Sequence, residues 1–153
     1  MPILNYTTGI SVQKTAGEIQ EILARAGAKT VVIEFGDDRI PDAIIFQISI
    51  GSKIFTFRLP SQWHGVYQSL LKSGAEKRYK TEEQARKVAW RIIKDWTEAQ
   101  VAIIEAGAAE ITEVFLPYMV NPDTKQTMFE DFQSRFLLES GDDVVDGEVR
   151  NGI

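Results

Sequence analysis

Residues 43–59 read AIIFQISIGSKIFTFRL, and this stretch decides the fold. Two apolar runs flank Gly51-Ser52, a two-residue loop of the Gly-X kind that suits the twist of a β-hairpin. Pairing about this loop places apolar residues opposite one another on one face: Ile48 with Phe55, Phe46 with Phe57, and Ile44 with Leu59. The other face is mixed, since its predicted pairs are Ser49–Ile54, Gln47–Thr56 and Ile45–Arg58. The pattern predicts an antiparallel sheet that helices cover on one face, with the mixed face open to water or to a partner.

Two more strands and one helix are predicted before the hairpin. Residues 5–12 are expected to form a first strand, and the β-branched residues 29–35 form a second. Between them, Thr15 and Glu18 have the spacing of a capping box, which predicts a helix start. Gly27 is expected to end this helix in a left-handed conformation. Its apolar stripe is Ile19, Ile22, Leu23 and Ala26.

After the hairpin, which Pro60 ends, the chain is predicted to be helical. Thr81 and Gln84 have capping-box spacing and open the longest helix. The helices are expected at 62–72, 81–105, 110–118 and 127–136. With the short last helix left out, the order is β-α-β-β-β-α-α-α, which predicts an α+β domain over residues 1–138 with a sheet of about four strands. Residues 139–153 are polar and acidic, and we expect them to be disordered.

The composition limits the chemistry. The chain has no cysteine and a single histidine, His64, so cysteine nucleophiles and the usual zinc clusters are excluded. No apolar run has the length of a membrane span, and the start of the chain has no signal-peptide pattern. We therefore expect a cytoplasmic protein of about one domain. The sequence indicates no metal and no cofactor, and it contains no Ser-His-Asp or Walker-type motif.

Charge is distributed unevenly along the chain. Residues 72–94, here called the basic segment, contain eight Lys and Arg against three Glu, a charge of +5. Because the whole chain carries −5, the remainder sums to −10. The basic segment includes the predicted start of the longest helix, where unpaired N–H groups and the helix dipole favour an anion. This pattern indicates a site for an anionic partner.

Six residues are the candidates for this site. Arg78, Tyr79 and Lys80 directly precede the helix, and Arg86 follows one turn later. Arg58 on the mixed sheet face is a further candidate, because a guanidinium can bind phosphate through two parallel hydrogen bonds. Trp90 is a candidate for stacking or for an oligomer contact, whereas Trp96 falls on the apolar stripe and is expected in the core. A solvated, well-capped helix start explains the same charges and stays open as an alternative.

The run RYKTEEQARKVAWRIIKDWTEAQVAIIEAG at 78–107, followed by VFLPY at 114–118, resembles small uncharacterised proteins encoded by bacteriophages and prophages. The earlier segments FRLP at 57–60 and LNYTTGI at 4–10 fit the same resemblance, which covers roughly residues 4–132. The resemblance implies a small phage accessory protein for counter-defence or phage DNA metabolism. It also implies a protein that binds rather than catalyses.

A second resemblance is to double-stranded RNA-binding domains. It is carried by the predicted αβββα order from Thr15 and by residues 80–86, KTEEQAR. This chain departs from that pattern in two places. Glu82 and Glu83 stand where lysines are expected, and the predicted helix 62–72 interrupts the order.

Three functions follow as hypotheses. The first is non-catalytic binding of a phosphate-bearing ligand, such as a nucleotide signal or a short nucleic acid. The second is an inhibitor or adaptor that uses its acidic surface to bind a host protein. The third is phosphodiester hydrolysis assisted by His64 or Tyr79.

The longest helix is apolar on more than one side, which bears on assembly. Its main stripe is Ala85, Val88, Ala89, Ile92, Trp96, Ala99 and Ile103. Trp90, Ile93, Val101 and Ile104 lie off that stripe. A helix that is apolar on two sides packs on both, which predicts a homo-oligomer, most simply a two-fold dimer. The alternative is a larger monomer core, in which the helices at 110–136 cover the second side.

Overall fold

The computed structural model describes residues 1–137 and confirms the predicted α+β class. The predicted disorder of 139–153 lies outside the described residues. Single 3-10 turns at Lys77–Tyr79 and Leu116–Tyr118 and a π turn at Gln133–Leu137 complete the regular structure. The main elements are α1 (Val12–Arg25), β1 (Thr30–Phe35), β2 (Pro41–Ile50), β3 (Lys53–Pro60), α2 (Trp63–Lys72), α3 (Glu82–Glu105), α4 (Ile111–Phe115) and α5 (Met128–Phe132).

The sheet has three antiparallel strands in the order β1-β2-β3. All the predicted pairs of the hairpin are confirmed, from Ile44–Leu59 to Ser49–Ile54. Gly51 has φ +63°, a conformation that glycine adopts without steric penalty, and it forms the loop with Ser52. Phe46 and Phe57 are fully buried and stack with their ring centroids 5.0 Å apart. The alternation of apolar and polar residues and the two-residue loop were therefore sufficient to predict the register of the hairpin.

The predicted first strand at 5–12 is wrong, and the sheet has three strands instead of about four. Asn5 has φ +66°, which interrupts an extended chain. The segment forms turns along α3, where Gln84 Nε2 donates hydrogen bonds to the carbonyl oxygens of Tyr6 at 2.8 Å and Thr8 at 2.9 Å. These two carbonyl oxygens thus find hydrogen-bond donors on a helix, and the segment does not need to pair with a sheet edge to satisfy them.

The helix starts differ in detail from the predicted capping boxes. Ser11 caps α1, because its Oγ accepts a hydrogen bond from the Lys14 N–H, and the helix begins before Thr15. Thr15 is fully buried, and its hydroxyl accepts a hydrogen bond from Arg91 at 3.4 Å. The predicted Thr81 cap on α3 is confirmed, whereas the Gln84 side chain binds the N-terminal segment instead of closing the box.

Helices α1 and α3 pack against each other, and both contribute to the core on the apolar face of the sheet. They run in the same direction, since Arg91 binds Glu18 at 2.6 Å and residues 98–105 lie beside Ile22 and Arg25. The N-terminal ends of both helices therefore meet at one end of the domain. The main core is Val12, Ala16, Ile19, Leu23, Ile44, Phe46, Ile48, Phe57, Leu59, Trp90 and Phe115.

The residues that suggested a dimer lie within the fold of one chain. Trp90 is 1% exposed and Val101 is buried, while Ile93 and Ile104 pack against the main core. The predicted stripe holds as far as Ala89, but Thr97 and Val101 replace its later members as the buried residues of α3. Helices α1 and α2 pack along α3, α4 also contacts it, and Trp90 reaches the sheet at Pro41, so these apolar residues already have partners within one chain.

The last predicted helices are shorter than expected. The segment 110–118 divides into α4 and a 3-10 turn that contains Pro117, whose ring restricts helix continuation. Met119 then forms a single β-bridge with Phe57, and the Val120 N–H donates to the Thr56 carbonyl at 2.7 Å. This contact covers part of the outer edge of β3. Within residues 1–137, no helix has the length and apolar character needed to cross a membrane.

Candidate functional site

The predicted binding residues do not form one site. Arg58 lies on the open face of the sheet, opposite the face that the helices cover, and pairs with Glu34 at 2.6 Å. The sheet therefore separates it from the basic segment. Its pairing with Glu34 crosses the open face and leaves Arg58 half-buried.

The residues at 78–80 form a turn between α2 and α3, and each has a local partner. Lys80 Nζ donates to the Ser73 carbonyl at 2.9 Å and so binds the C-terminal end of α2. Arg78 is largely exposed, pairs with Glu76 at 3.1 Å and lies 4.7 Å from the centre of the Tyr79 ring. Tyr79 packs edge-on against Tyr6, with ring centroids 5.6 Å apart. Of these three residues, Arg78 keeps the most accessible charge.

Arg86 is held by two contacts that sequence analysis missed. Its guanidinium lies 4.1 Å from the centre of the Trp63 ring, and its NH2 group donates to Asp38 at 2.6 Å. The side chain is only 13% exposed. Stacking and pairing together restrict the orientation of the guanidinium. Neither Trp63 nor Asp38 is near Arg86 in sequence, so no local pattern could have indicated the contacts.

Trp90 of α3 is buried more deeply than expected, whereas Trp96 packs against the main core but stays half-buried. Trp90 is buried, and its indole N–H donates to the Pro41 carbonyl at 3.3 Å, so the stacking role predicted for Trp90 is wrong. Trp96 is half-buried and lines a cavity. The Trp90 side of α3 thus reaches the sheet at Pro41, whereas the Trp96 ring packs edge-on against Phe115 and Tyr118.

A cavity of about 630 Å³, here called the charged groove, lies where the N-terminal ends of α1 and α3 meet. Arg86 and Lys87 supply positive charge to it. Asp38, Glu82 and Glu83 supply negative charge, and Lys87 lies 3.5 Å from Glu83. The groove thus combines two basic side chains and two helix dipoles with three carboxylates that compete for them. It is lined by Ser11, Val12, Gln13, Asp38, Ile40, Glu82, Glu83, Arg86 and Lys87.

A second cavity of about 360 Å³, here called the apolar groove, lies between the end of β3, the start of α2 and the middle of α3. None of the described residues that line it is charged. Ser61 is its one buried polar residue, and the Ser61 Oγ has no hydrogen-bond partner among the described residues. The groove is lined by Leu59, Pro60, Ser61, Gln62, Val66, Ala89, Ile92, Ile93, Trp96, Tyr118 and Phe129.

The two residues proposed for hydrolysis have different neighbours. His64 is exposed and stacks on Trp63 with ring centroids 3.7 Å apart. Tyr79 packs instead against Tyr6 and Arg78. Among residues 1–137, no three His, Asp or Glu side chains are arranged to hold a metal ion.

Comparison with protein-family models, with curated proteins and with solved structures gives no match to this chain.

Proposed function

We propose that this chain is a non-catalytic binding protein, and that its charged groove holds a phosphate-bearing ligand such as a nucleotide signal or a short nucleic acid. One observation supports the proposal above the others. The N-terminal ends of two parallel helices converge on a groove that Arg86 and Lys87 line. Converging helix dipoles and cationic side chains act in the same direction on a bound anion.

Arg86 is the residue on which this binding depends most. The Trp63 ring and Asp38 already restrict the Arg86 side chain, so the side chain loses less conformational entropy when a ligand binds to it. The ligand must compete with Asp38 for the guanidinium and with Glu83 for Lys87. We therefore expect modest affinity that falls as salt rises, because screening and counterion release both weaken contacts with phosphate.

Calorimetry at low salt tests the proposal, with mononucleotides, cyclic dinucleotides and short DNA or RNA as ligands. Replacement Arg86→Gln is expected to weaken binding about tenfold or more, since a charge-assisted hydrogen bond contributes roughly 1.5–3 kcal/mol. Lys29→Gln is the matched control, because Lys29 is exposed beyond the opposite, C-terminal end of α1. Equal effects of the two replacements, or no binding by the wild-type protein, would contradict the proposal.

The resemblance to phage proteins extends this proposal to the biological setting. The protein would act in the cytoplasm of an infected or lysogenic bacterium, where sequestering a nucleotide signal would serve counter-defence. Signalling nucleotides are therefore the first ligands to test. Product formation at substoichiometric protein would instead favour the phosphodiesterase hypothesis.

The open sheet face favours a second candidate, binding of a host protein. Val32 is 49% exposed and Ile54 is 62% exposed, and the ion pair of Arg58 with Glu34 lies on the same face. Exposed apolar residues beside polar ones are typical of interaction surfaces. Replacement Ile54→Lys should abolish capture of a stoichiometric partner from host lysate. The control Ile103→Lys changes an exposed residue of α3 and should leave capture unchanged.

A further inference from the structure

The apolar groove contains a polar group for which the fold gives no use. Ser61 directly follows β3 and is 4% exposed. Its backbone N–H donates to the Asp42 carbonyl at 2.8 Å, whereas its hydroxyl has no partner among the described residues. A buried hydroxyl without a partner is destabilising, and most folds avoid it. Since Ser61 lines the groove, its hydroxyl is placed to bind a ligand there.

The start of α2 lies beside this hydroxyl. Gln62 precedes the ten-residue helix and has φ +53° and ψ +34°, a left-handed conformation that is uncommon outside glycine. No side chain caps the helix start, so its first-turn N–H groups lack the partner that Ser11 gives α1 and Thr81 gives α3. Strained backbone of this kind persists where surrounding structure enforces it and is common at binding sites.

The rest of the groove is apolar and aromatic. Ile92, Ile93 and Trp96 of α3 form one wall, and Tyr118 packs edge-on against Trp96 with ring centroids 5.5 Å apart. The volume of about 360 Å³ lies within the range of small-molecule sites, which are mostly apolar with a few oriented polar groups. Hydrogen-bond donors at one end and aromatic walls elsewhere select a ligand with an acceptor at one end of a flat apolar body.

We propose that the apolar groove is a binding site for a small aromatic carboxylate. The carboxylate would accept a hydrogen bond from Ser61 Oγ at the positive end of the α2 dipole, and the ring would lie against Trp96. This site is separate from the charged groove, because the two grooves share no lining residue. None of the described residues that line the apolar groove is cationic, so it lacks the side chains that typically bind phosphate.

The test adds 2-naphthoate to the wild-type protein and measures the chemical-shift changes by NMR. We expect saturable shifts at Ser61, Gln62 and the Trp96 indole N–H. The amide of this probe, 2-naphthamide, has the same ring without the charge and should bind about tenfold more weakly than 2-naphthoate. Replacement Ser61→Ala should weaken naphthoate binding about tenfold and affect the amide less.

A second pair of variants tests the location of the site. Ile92→Trp would fill the groove and is expected to abolish binding of both probes, whereas Ile103→Trp, on an exposed position of the same helix, should not. Circular dichroism checks that each variant is folded. If Ile92→Trp does not fold, the chemical-shift changes of the wild-type protein still locate the site. No saturable shift at millimolar naphthoate, shifts confined to other surfaces, or equal affinity for acid and amide would overturn the proposal.

Discussion

Thr97 shows how one buried hydroxyl affects stability. Its side chain is fully buried on α3, and its Oγ1 has no hydrogen-bond partner among the described residues. Replacement Thr97→Val removes that unpartnered group while keeping the shape of the side chain. We expect the free energy of unfolding, measured by urea denaturation, to rise by about 1 kcal/mol, since an unsatisfied buried polar group costs roughly 1–3 kcal/mol.

Thr15 is the matched control for this prediction. It is equally buried on α1, but its hydroxyl accepts a hydrogen bond from Arg91. Thr15→Val should therefore leave the Arg91 guanidinium short of one acceptor and lower stability by about 1 kcal/mol. If both replacements shift the midpoint in the same direction, hydrogen-bond satisfaction is not what distinguishes them.

Two glycines with open space around them should respond to alanine in opposite ways. Gly51 has φ +63° in the hairpin loop, and an added Cβ would meet nothing within 4 Å, so the cost of Gly51→Ala is conformational. We expect a loss of about 1 kcal/mol. Gly17 lies inside α1, also without a neighbour within 4 Å, and Gly17→Ala should raise stability by roughly 0.5–1 kcal/mol. Thermal denaturation of the two variants measures both changes in stability, and the melting temperature should fall for Gly51→Ala and rise for Gly17→Ala.

At the scale of elements, two side chains of α3, Gln84 and Asp95, hold the N-terminal segment. Gln84 donates to the carbonyl oxygens of Tyr6 and Thr8, and Asn5 donates to Asp95 at 2.8 Å further along the same helix. Replacement Gln84→Ala should increase amide hydrogen exchange in residues 3–10 while exchange in α3 and the sheet stays unchanged. A loss of protection throughout the molecule would mean that the segment is part of the cooperative core.

Gln84→Glu separates hydrogen bonding from packing in that prediction. The side chain keeps its size but presents two acceptor oxygens to two carbonyl oxygens, so both hydrogen bonds are lost. We expect at least as much exchange in the segment as for Gln84→Ala. Protection equal to that of the wild type would show that packing alone holds the segment.

At the scale of the whole molecule, the oligomeric state stays a prediction, with a dimer and a monomer as the alternatives. The dimer hypothesis depended on Trp90, Ile93, Val101 and Ile104, and these residues are buried or pack against the core of one chain. We therefore expect light scattering to give the monomer mass of 17.2 kDa. Twice that mass would support the dimer hypothesis and direct attention to apolar residues that remain exposed, such as Ile103.

The candidate site was predictable only in part. Charge counting identified the basic segment, and Arg86 lies at a groove as that interpretation requires. It could not show that Arg58 is on the opposite side of the sheet, or that Lys80 binds the end of α2. Those facts depend on how the elements pack, and the free Ser61 hydroxyl depends on the surroundings of a single atom.

The sequence by itself determined the hairpin pairing, the α+β class and the start of α3, because each follows from interactions between residues near in sequence. Two-residue loops fix a register, alternation fixes a face, and a Thr side chain caps the helix it precedes. Only the tertiary structure decided that 5–12 is no strand and that Trp90 is more deeply buried than Trp96. A strand needs a partner edge and a helix buries whichever side meets its neighbours, so both outcomes depend on distant segments.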